Sequence, residues 1–271
     1  MSDDEGYLLA NENTEAGNRF AAFADLFDPV TFRHLDGVGL TAGWRCWEVG
    51  AGGDSVPVGL SRRVGPTGRV LATDIDTTWL TAQSASRGFE VRRHDVAVDP
   101  PPDGPFDLVH ARLVLVHLPR RAQALAAMRS VLRPGGWLVV EDADPALQPL
   151  TCPDEWGPAQ ELANRLRRGF RTLMASRGAD LDFGRTVPRL LRDAGLDRVE
   201  SDGYFPLASA ACTALEAATV RLIAPQLLDA GLATEEEIAV HLRNVATGTM
   251  DLATAPLISA WGQVPTNAGT A

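Results

Sequence analysis

The residues best placed for chemistry begin with the segment Glu48-Val49-Gly50-Ala51-Gly52-Gly53-Asp54. It follows an apolar run and precedes a helical pattern, the setting in which a glycine loop can cradle a ligand. Glycine lets the backbone approach a bound molecule closely and takes dihedral angles that a Cβ forbids. Asp74 ends a second apolar run, where a carboxylate can accept hydrogen bonds from ribose hydroxyls. Asp95 ends a third, and its side chain could accept a bond from an adenine amino group. Taken singly, each has an ordinary reading as a turn residue, a helix cap or a loop acid. In order, at the ends of successive strands, they describe a ligand site along the carboxyl edge of a parallel sheet.

Such residues need a scaffold. From Trp44 onward, strand-like and helical segments alternate, which implies a parallel sheet with crossover helices. The expected strands cover 44–50, 69–75, 89–95, 106–112 and 136–142, with helices near 55–63, 77–87 and 120–132. Residues 99–105 read as a Pro-rich loop, and Arg133-Pro134-Gly135-Gly136 as a turn that starts the fifth strand. Ahead of this core, residues 18–27 carry helical apolar spacing that stops at Asp28-Pro29, with a short second helical piece before Gly37. Behind it come helices at 154–178 and 184–196, a strand at 197–207, helices at 212–230 and 234–246, and a final strand at 256–264. The last few residues are small and polar and are expected to fray.

Composition narrows the class. The chain has 271 residues, 45% hydrophobic and 22% charged, enough to bury a sizeable core. Its net charge of −10 argues against nucleic acid, since neutralising phosphates needs clustered bases. All 25 basic residues are Arg, which reads as a coding bias rather than a functional choice. No stretch of about 18 apolar residues indicates a membrane span. The acidic, polar start is the reverse of a signal peptide, so a cytoplasmic location is expected. Cys46, Cys152 and Cys212 lack the spacing of a zinc site or a disulfide framework, and His34, His94, His110 and His241 show no metal-ligand spacing, so no metal is expected.

The motifs in combination resemble class I S-adenosylmethionine-dependent methyltransferases. EVGAGGD is similar to the first motif of that family, placing Glu48, Gly50 and Gly52 on its first three key positions, with Ala51 among them. ATDIDTTWL resembles the second motif, which puts Asp74 on the ribose-binding acid and Ile75 against the adenine. RHDV places Asp95 and Val96 at the adenine edge, and FDLVHARLVLVHLP and LRPGGWLVVED resemble the fourth- and fifth-strand motifs. The resemblance covers roughly residues 40–145, and more weakly the N-terminal helix and the terminal ISAWG. It implies an α/β, Rossmann-like doubly wound sheet of seven strands, with ISAWG as an antiparallel last strand and helical lid insertions. The implied organisation is a helical cap over 1–35, a cofactor-binding core over 36–145, and helical insertions with the final strands over 146–271. One departure is Asp54, which stands where the family's motif has its third glycine. It suits an N-cap of the following helix, or else lies near the charged groups of the cofactor's methionine part.

The resemblance implies S-adenosylmethionine as cofactor, S-adenosylhomocysteine as product, and methyl transfer to an O, N or C atom of a small, largely apolar metabolite, as in actinomycete-type enzymes of secondary metabolism. Arg112, just past the fourth strand, suits the cofactor's carboxylate, because a guanidinium matches that group bidentately. Arg19 lies on the N-terminal helix, which closes over the cofactor in related enzymes. Two roles are open to His117: a general base near the cleft, or a ring packed beside Leu115 and Leu118. Asp144 is either a substrate contact or a loop acid. Acceptor choice is expected in residues 1–35, 146–182 and 208–250, where Trp156, Phe170, Met174 and nearby Phe183 could supply apolar surface. The partner is then a small molecule rather than nucleic acid or a membrane, and a homodimer through the N-terminal helices is compatible with the sequence. A protein of this fold that binds the cofactor but catalyses another step, such as a cyclisation, is the alternative. A nicotinamide enzyme would need glycine at Ser55, a P-loop would need Gly-Lys-Ser/Thr, and a base methyltransferase would need an Asn/Asp-Pro-Pro-aromatic motif where His110-Ala111-Arg112-Leu113 stands.

Overall fold

The computed structural model describes residues 14–81 and 87–266 and divides into two compact units. One comprises Asp28–Asp142, Phe183–Gly203 and the chain from Ile258; the other comprises the chain up to Phe27, Ala143–Asp182 and Tyr204–Leu257.

The first unit is built on a seven-stranded sheet. Its strands are β1 (Arg45–Val49), β2 (Arg69–Asp74), β3 (Glu90–Arg93), β4 (Phe106–Arg112), β5 (Leu132–Ala143), β6 (Asp197–Tyr204) and β7 (Leu257–Gln263). They lie in the order β3-β2-β1-β4-β5-β7-β6. Neighbours from β3 through β5 are parallel, and β7 is antiparallel to them, as ISAWG was expected to be. Strands buried on both faces need no polar alternation, so β1, β2, β4 and β5 read as nearly continuous apolar runs. Successive side chains still take opposite faces. Trp47, Val109 and Leu138 join one core cluster, with Met128, Phe183 and Leu191; Cys46, Leu108 and Val139 join the other, with Leu35, Leu60 and Val64. By the same alternation Glu48, His110 and Glu141 share the second face. The register places Glu48 opposite His110, and Arg112 opposite Glu141.

Crossover helices α2 (Ser55–Val64) and α4 (Arg121–Ser130) fall close to their expected places. Of the segment 77–87, helix α3 (Thr78–Thr81) is described, and 82–86 lie outside the described residues, as do 1–13 and 267–271. A short helix, α6 (Val187–Asp193), completes this unit's helical cover.

Two expectations are corrected. Helix α1 (Thr14–Gly37) does not stop at Asp28-Pro29 but runs through Pro29 as one element. A helix-interior proline costs about 3 kcal/mol. That cost is offset because Val30, Thr31, His34 and Leu35 beyond it are all buried, two of them in side-chain hydrogen bonds. The expected turn at 133–136 is instead a bulge inside β5. Phe106 pairs with Leu132 and Leu108 with Trp137, so the extra residues loop out, with Gly135 at φ 76°.

The second unit is helical: α5 (Pro158–Ser176), α7 (Ala210–Asp229) and α8 (Glu235–Ala246) pack around Leu166, Ile223, Leu227 and Ile238. A reciprocal capping box between Thr234 and Glu237 starts α8. Of the apolar residues that could supply surface for an acceptor, Met174 is core here, Trp156 is 81% exposed, and Phe183 is core of the sheet unit. No described helix is long and apolar enough to cross a membrane.

Candidate functional site

The loop after β1 is shaped by two residues with positive φ, Gly50 at 61° and Gly52 at 60°. A Cβ on Gly50 would come within 2.4 Å of Val114 Cγ2, so this position excludes a side chain for space as well as for conformation. The loop is fastened to the end of β2: Ala51 N–H donates to the Thr73 carbonyl at 3.0 Å, and Gly52 N–H donates to Asp74 Oδ2 at 2.8 Å. Asp74 Oδ1 accepts from Asp76 N–H at 3.0 Å. Burial pushes the Asp74 carboxyl up from its ordinary range, outweighing those backbone hydrogen bonds. Asp76 stands just ahead of α3, its carboxylate accepting from the Thr78 N–H and hydroxyl.

Immediately beyond Asp74, Ile75 is 50% exposed while its neighbour is almost wholly buried. The half-buried Asp95 follows β3 and accepts from Ala97 N–H at 2.8 Å, and Val96 packs into the sheet core. Asp54 occupies the N-cap position of α2 but makes no capping hydrogen bond. Its carboxylate pairs with Arg87 instead, which corrects the expectation of a cap. Its backbone at φ −94°, ψ −4° lies near the helical region, unlike the extended conformation usual for a capping side chain.

Arg112 ends β4, half-buried, with its guanidinium on Asp28 at 2.9 Å and on the Thr31 hydroxyl at 3.0 Å. Ser55, the first residue of α2, donates to the same Asp28 carboxylate at 3.3 Å. The Thr31 hydroxyl in turn donates to Glu141, which also accepts from Ser259 at 2.8 Å and lies 2.9 Å from His34 Nδ1. His110 stands between the acids, with Nδ1 2.6 Å from Glu48 and Nε2 3.4 Å from Glu141. Burial alone would lower the His110 pKa, but Glu48 and Glu141 outweigh it and lift the ring to about 9. Burial alone would raise Glu141, yet His110, His34 and Arg112 hold it far below the ordinary carboxylate range. Burial also pushes Glu48 up, so the Glu48–His110 pair resists losing its shared proton from both sides.

After Arg112 the chain turns through Leu113, at φ 60°, into a 3-10 turn, Leu115–His117. Asp142 Oδ2 accepts from the Leu115 and Val116 N–H groups and fixes that turn, leaving His117 half-buried at its end. Thus Glu48, Gly50, Ala51, Gly52, Asp74, Ile75, Asp95, Val96, Arg112 and His117 all belong to the sheet unit, on or just beyond β1 to β4. Arg19 and Asp144 belong to the helical unit. There Arg19 is buried, donates to Thr219 at 3.3 Å and lies over the Phe23 ring. Asp144 is fully buried and accepts from Leu147 N–H at 3.1 Å. Among the described residues no cluster of His, Cys, Asp and Glu could hold a metal.

Sequence reasoning missed the buried charge network, because Thr31, His34, Glu141 and Ser259 come from distant elements. A signal did exist: three ionisable residues, Glu48, His110 and Glu141, sit inside apolar strands where charge is rarely tolerated unless paired.

Comparisons with known proteins agree with this geometry. The family described as a methyltransferase domain matches residues 47–140. The ubiquinone/menaquinone biosynthesis C-methyltransferase UbiE of Laribacter hongkongensis is 30% identical over 165 residues, covering 54% of this chain and 68% of the relative. The methyltransferase str3 of Strobilurus tenacellus is 32% identical over 151 residues, 54% of this chain and 50% of the relative; the chain thus spans about half the length of the first curated relatives it matches. Among solved structures, phosphoethanolamine N-methyltransferase 2 of Haemonchus contortus, in complex with S-adenosyl-L-methionine, superposes with a TM-score of 0.60 at 13% identity, covering 98% of this chain and 61% of that one. With the strand order, the glycine loop and the acid at the end of β2 in place, the chain belongs to the class I S-adenosylmethionine-dependent methyltransferases, whose cofactor is S-adenosylmethionine.

Proposed function

We propose that the chain transfers the methyl group of S-adenosylmethionine to an O, N or C atom of a small, largely apolar metabolite by in-line displacement. The observation that carries this reading is the pairing of Asp74 with Ile75 at the end of β2. A buried acid tied to the glycine loop lies next to a large apolar side chain left open to contact, as ribose and adenine would require. Asp74 still has acceptor capacity beyond its backbone bonds, since an ionised carboxylate offers about four acceptor sites. Asp95 and Val96 fit the adenine edge.

When bound, the sulfonium supplies an activated methyl group. The chain's work is to orient and to exclude water, and orientation alone can be worth effective molarities of ~10⁵–10⁸ M. Gly50, Ala51 and Gly52 bring the backbone close. Glu48 anchors the foot of that loop, and Arg112 takes the cofactor's carboxylate in exchange for Asp28. His117, set by the turn that Asp142 fixes, accepts the acceptor's proton where the acceptor carries one. Asp144 and Arg19, with residues 1–35, 146–182 and 208–250, are assigned to acceptor and cofactor recognition. The C-methyltransferase relative supports a carbon acceptor among the three atom types.

The test is incubation with methyl-labelled cofactor and a panel of phenolic, quinone-like and polyketide-like acceptors, following label and S-adenosylhomocysteine together. Matched labelled product and S-adenosylhomocysteine establish the reading. A product formed without S-adenosylhomocysteine would replace it with a non-methylating reaction on the same fold.

A further inference from the structure

We propose that His110 is a positioning residue for the cofactor: held as an imidazolium between Glu48 and Glu141, it fixes the carboxylate at the foot of the glycine loop and makes cofactor affinity depend on the proton it carries. The inference rests on the reading of residues 48–52 as the cofactor loop.

The geometry suits two donors on one ring. His110 has no exposed surface, and each of its nitrogens faces a carboxylate oxygen, Glu48 at 2.6 Å and Glu141 at 3.4 Å. An ionised carboxylate only accepts, so with Glu48 and Glu141 both ionised a neutral ring would turn a lone pair toward an acid in a fully buried site. The same network reaches both cofactor-facing ends of the site. Through Glu48 it meets the loop: the Glu48 carbonyl accepts from the Thr73 hydroxyl at 3.3 Å, and Thr73 also holds Ala51. Through Glu141 and Thr31 it meets Arg112.

The charges around the ring balance only with the proton in place. Facing it are Glu48 from β1, Glu141 from β5 and, on its own strand β4, Arg112, which is paired to Asp28 of α1. Beyond Glu141 lies His34 of α1, stacked on Trp261 and bonded to Asp202 of β6, which also pairs with Arg33. The carboxylates of Glu48, Glu141, Asp28 and Asp202 are matched by His110, His34, Arg112 and Arg33 when both rings are charged. Removing the His110 proton leaves Glu48 uncompensated, and a buried unpaired carboxylate must shift, carrying the strand end and loop with it. The lift of His110 to about 9 agrees with this arrangement, so at neutral pH the ring is charged.

Calorimetric titration with S-adenosylhomocysteine from pH 6 to 10.5, on the full chain and on His110→Gln, tests the idea. The ligand's own amino group titrates equally in both experiments and cancels in the ratio of the two dissociation constants. The expected ratio is tenfold or more below pH 8, falling toward one above pH 10. A ratio that stays constant with pH, whether large or near one, overturns the proposal. A second readout needs no variant. In histidine-labelled wild-type protein, ¹⁵N spectra are expected to show both His110 nitrogens protonated at pH 7.5, with the ring's pKa rising further when the ligand is bound, as linkage requires. An unchanged pKa on binding would overturn the proposal while leaving the cofactor reading intact. Failure of the wild type to bind at any pH would overturn both.

Discussion

On the proposed reading, the Arg112–Asp28 ion pair governs cofactor affinity at the residue level. The guanidinium expected to take the cofactor's carboxylate is already held by an acid of α1, so the ligand must displace a partner of its own kind. Replacing Arg112 with Ala is expected to weaken S-adenosylhomocysteine binding by about 1.5–3 kcal/mol, the range for a hydrogen bond to a charged group. Asp28→Ala should act in the opposite direction, tightening binding by up to about 1 kcal/mol, since the pair is partly exposed. Titration calorimetry reads both, and a weaker Asp28→Ala complex would mean that Asp28 serves the ligand instead of competing with it. Gly50→Ala is expected to lose binding and about 1–3 kcal/mol of stability, because φ 61° and Val114 both reject a methyl group.

At the scale of elements, the legible parts were those whose pattern is local. Parallel strands covered on both faces show as short apolar runs, and β1 to β5 stand within a few residues of where the sequence put them. The glycine loop and Asp74 were legible for the same reason, since their spacing lies along adjoining strand ends. What was not legible depended on distant partners. Nothing within residues 18–37 announces that burial of Leu35 and the bonds of Thr31 and His34 carry α1 past Pro29. Nothing near Arg133-Pro134-Gly135-Gly136 announces that Val264 bonds that turn into the sheet as a bulge. Asp54 looked like a cap because its type and place suit one; a distant Arg87 took its carboxylate. An expectation follows for α1. Pro29→Ala restores a backbone donor and relieves the ring clash, so the melting temperature should rise by a few degrees. A fall would show that the proline sets the course of the helix.

For the whole molecule, buried ion pairs make stability a function of pH. His110 is lifted from 6.5 to about 9, so its contribution is complete below pH 6.5 and is lost as pH rises through 9. A shift of this size corresponds to something on the order of 3 kcal/mol. Glu141, and Glu216 in the helical unit, lie below the ordinary 4.5. Glu216 is held near 2, mainly because Arg167 and His241 outweigh its burial. Their contributions are complete above pH 4.5 and are lost as pH falls. Melting temperature should therefore peak between about pH 4.5 and 6.5 and decline toward pH 9. A flat profile from pH 6.5 to 9.5 would contradict the charged state assigned to His110.

We propose that the loop at Gly50–Gly52 and the acid at Asp74 form one cofactor site. It is tested most directly by calorimetric titration of the wild type and of Asp74→Ala with S-adenosylmethionine and S-adenosylhomocysteine. The wild type is expected to bind both ligands and the variant to bind each at least tenfold more weakly, while the fold survives. Equal affinity in the two proteins, or no binding by the wild type, would contradict it.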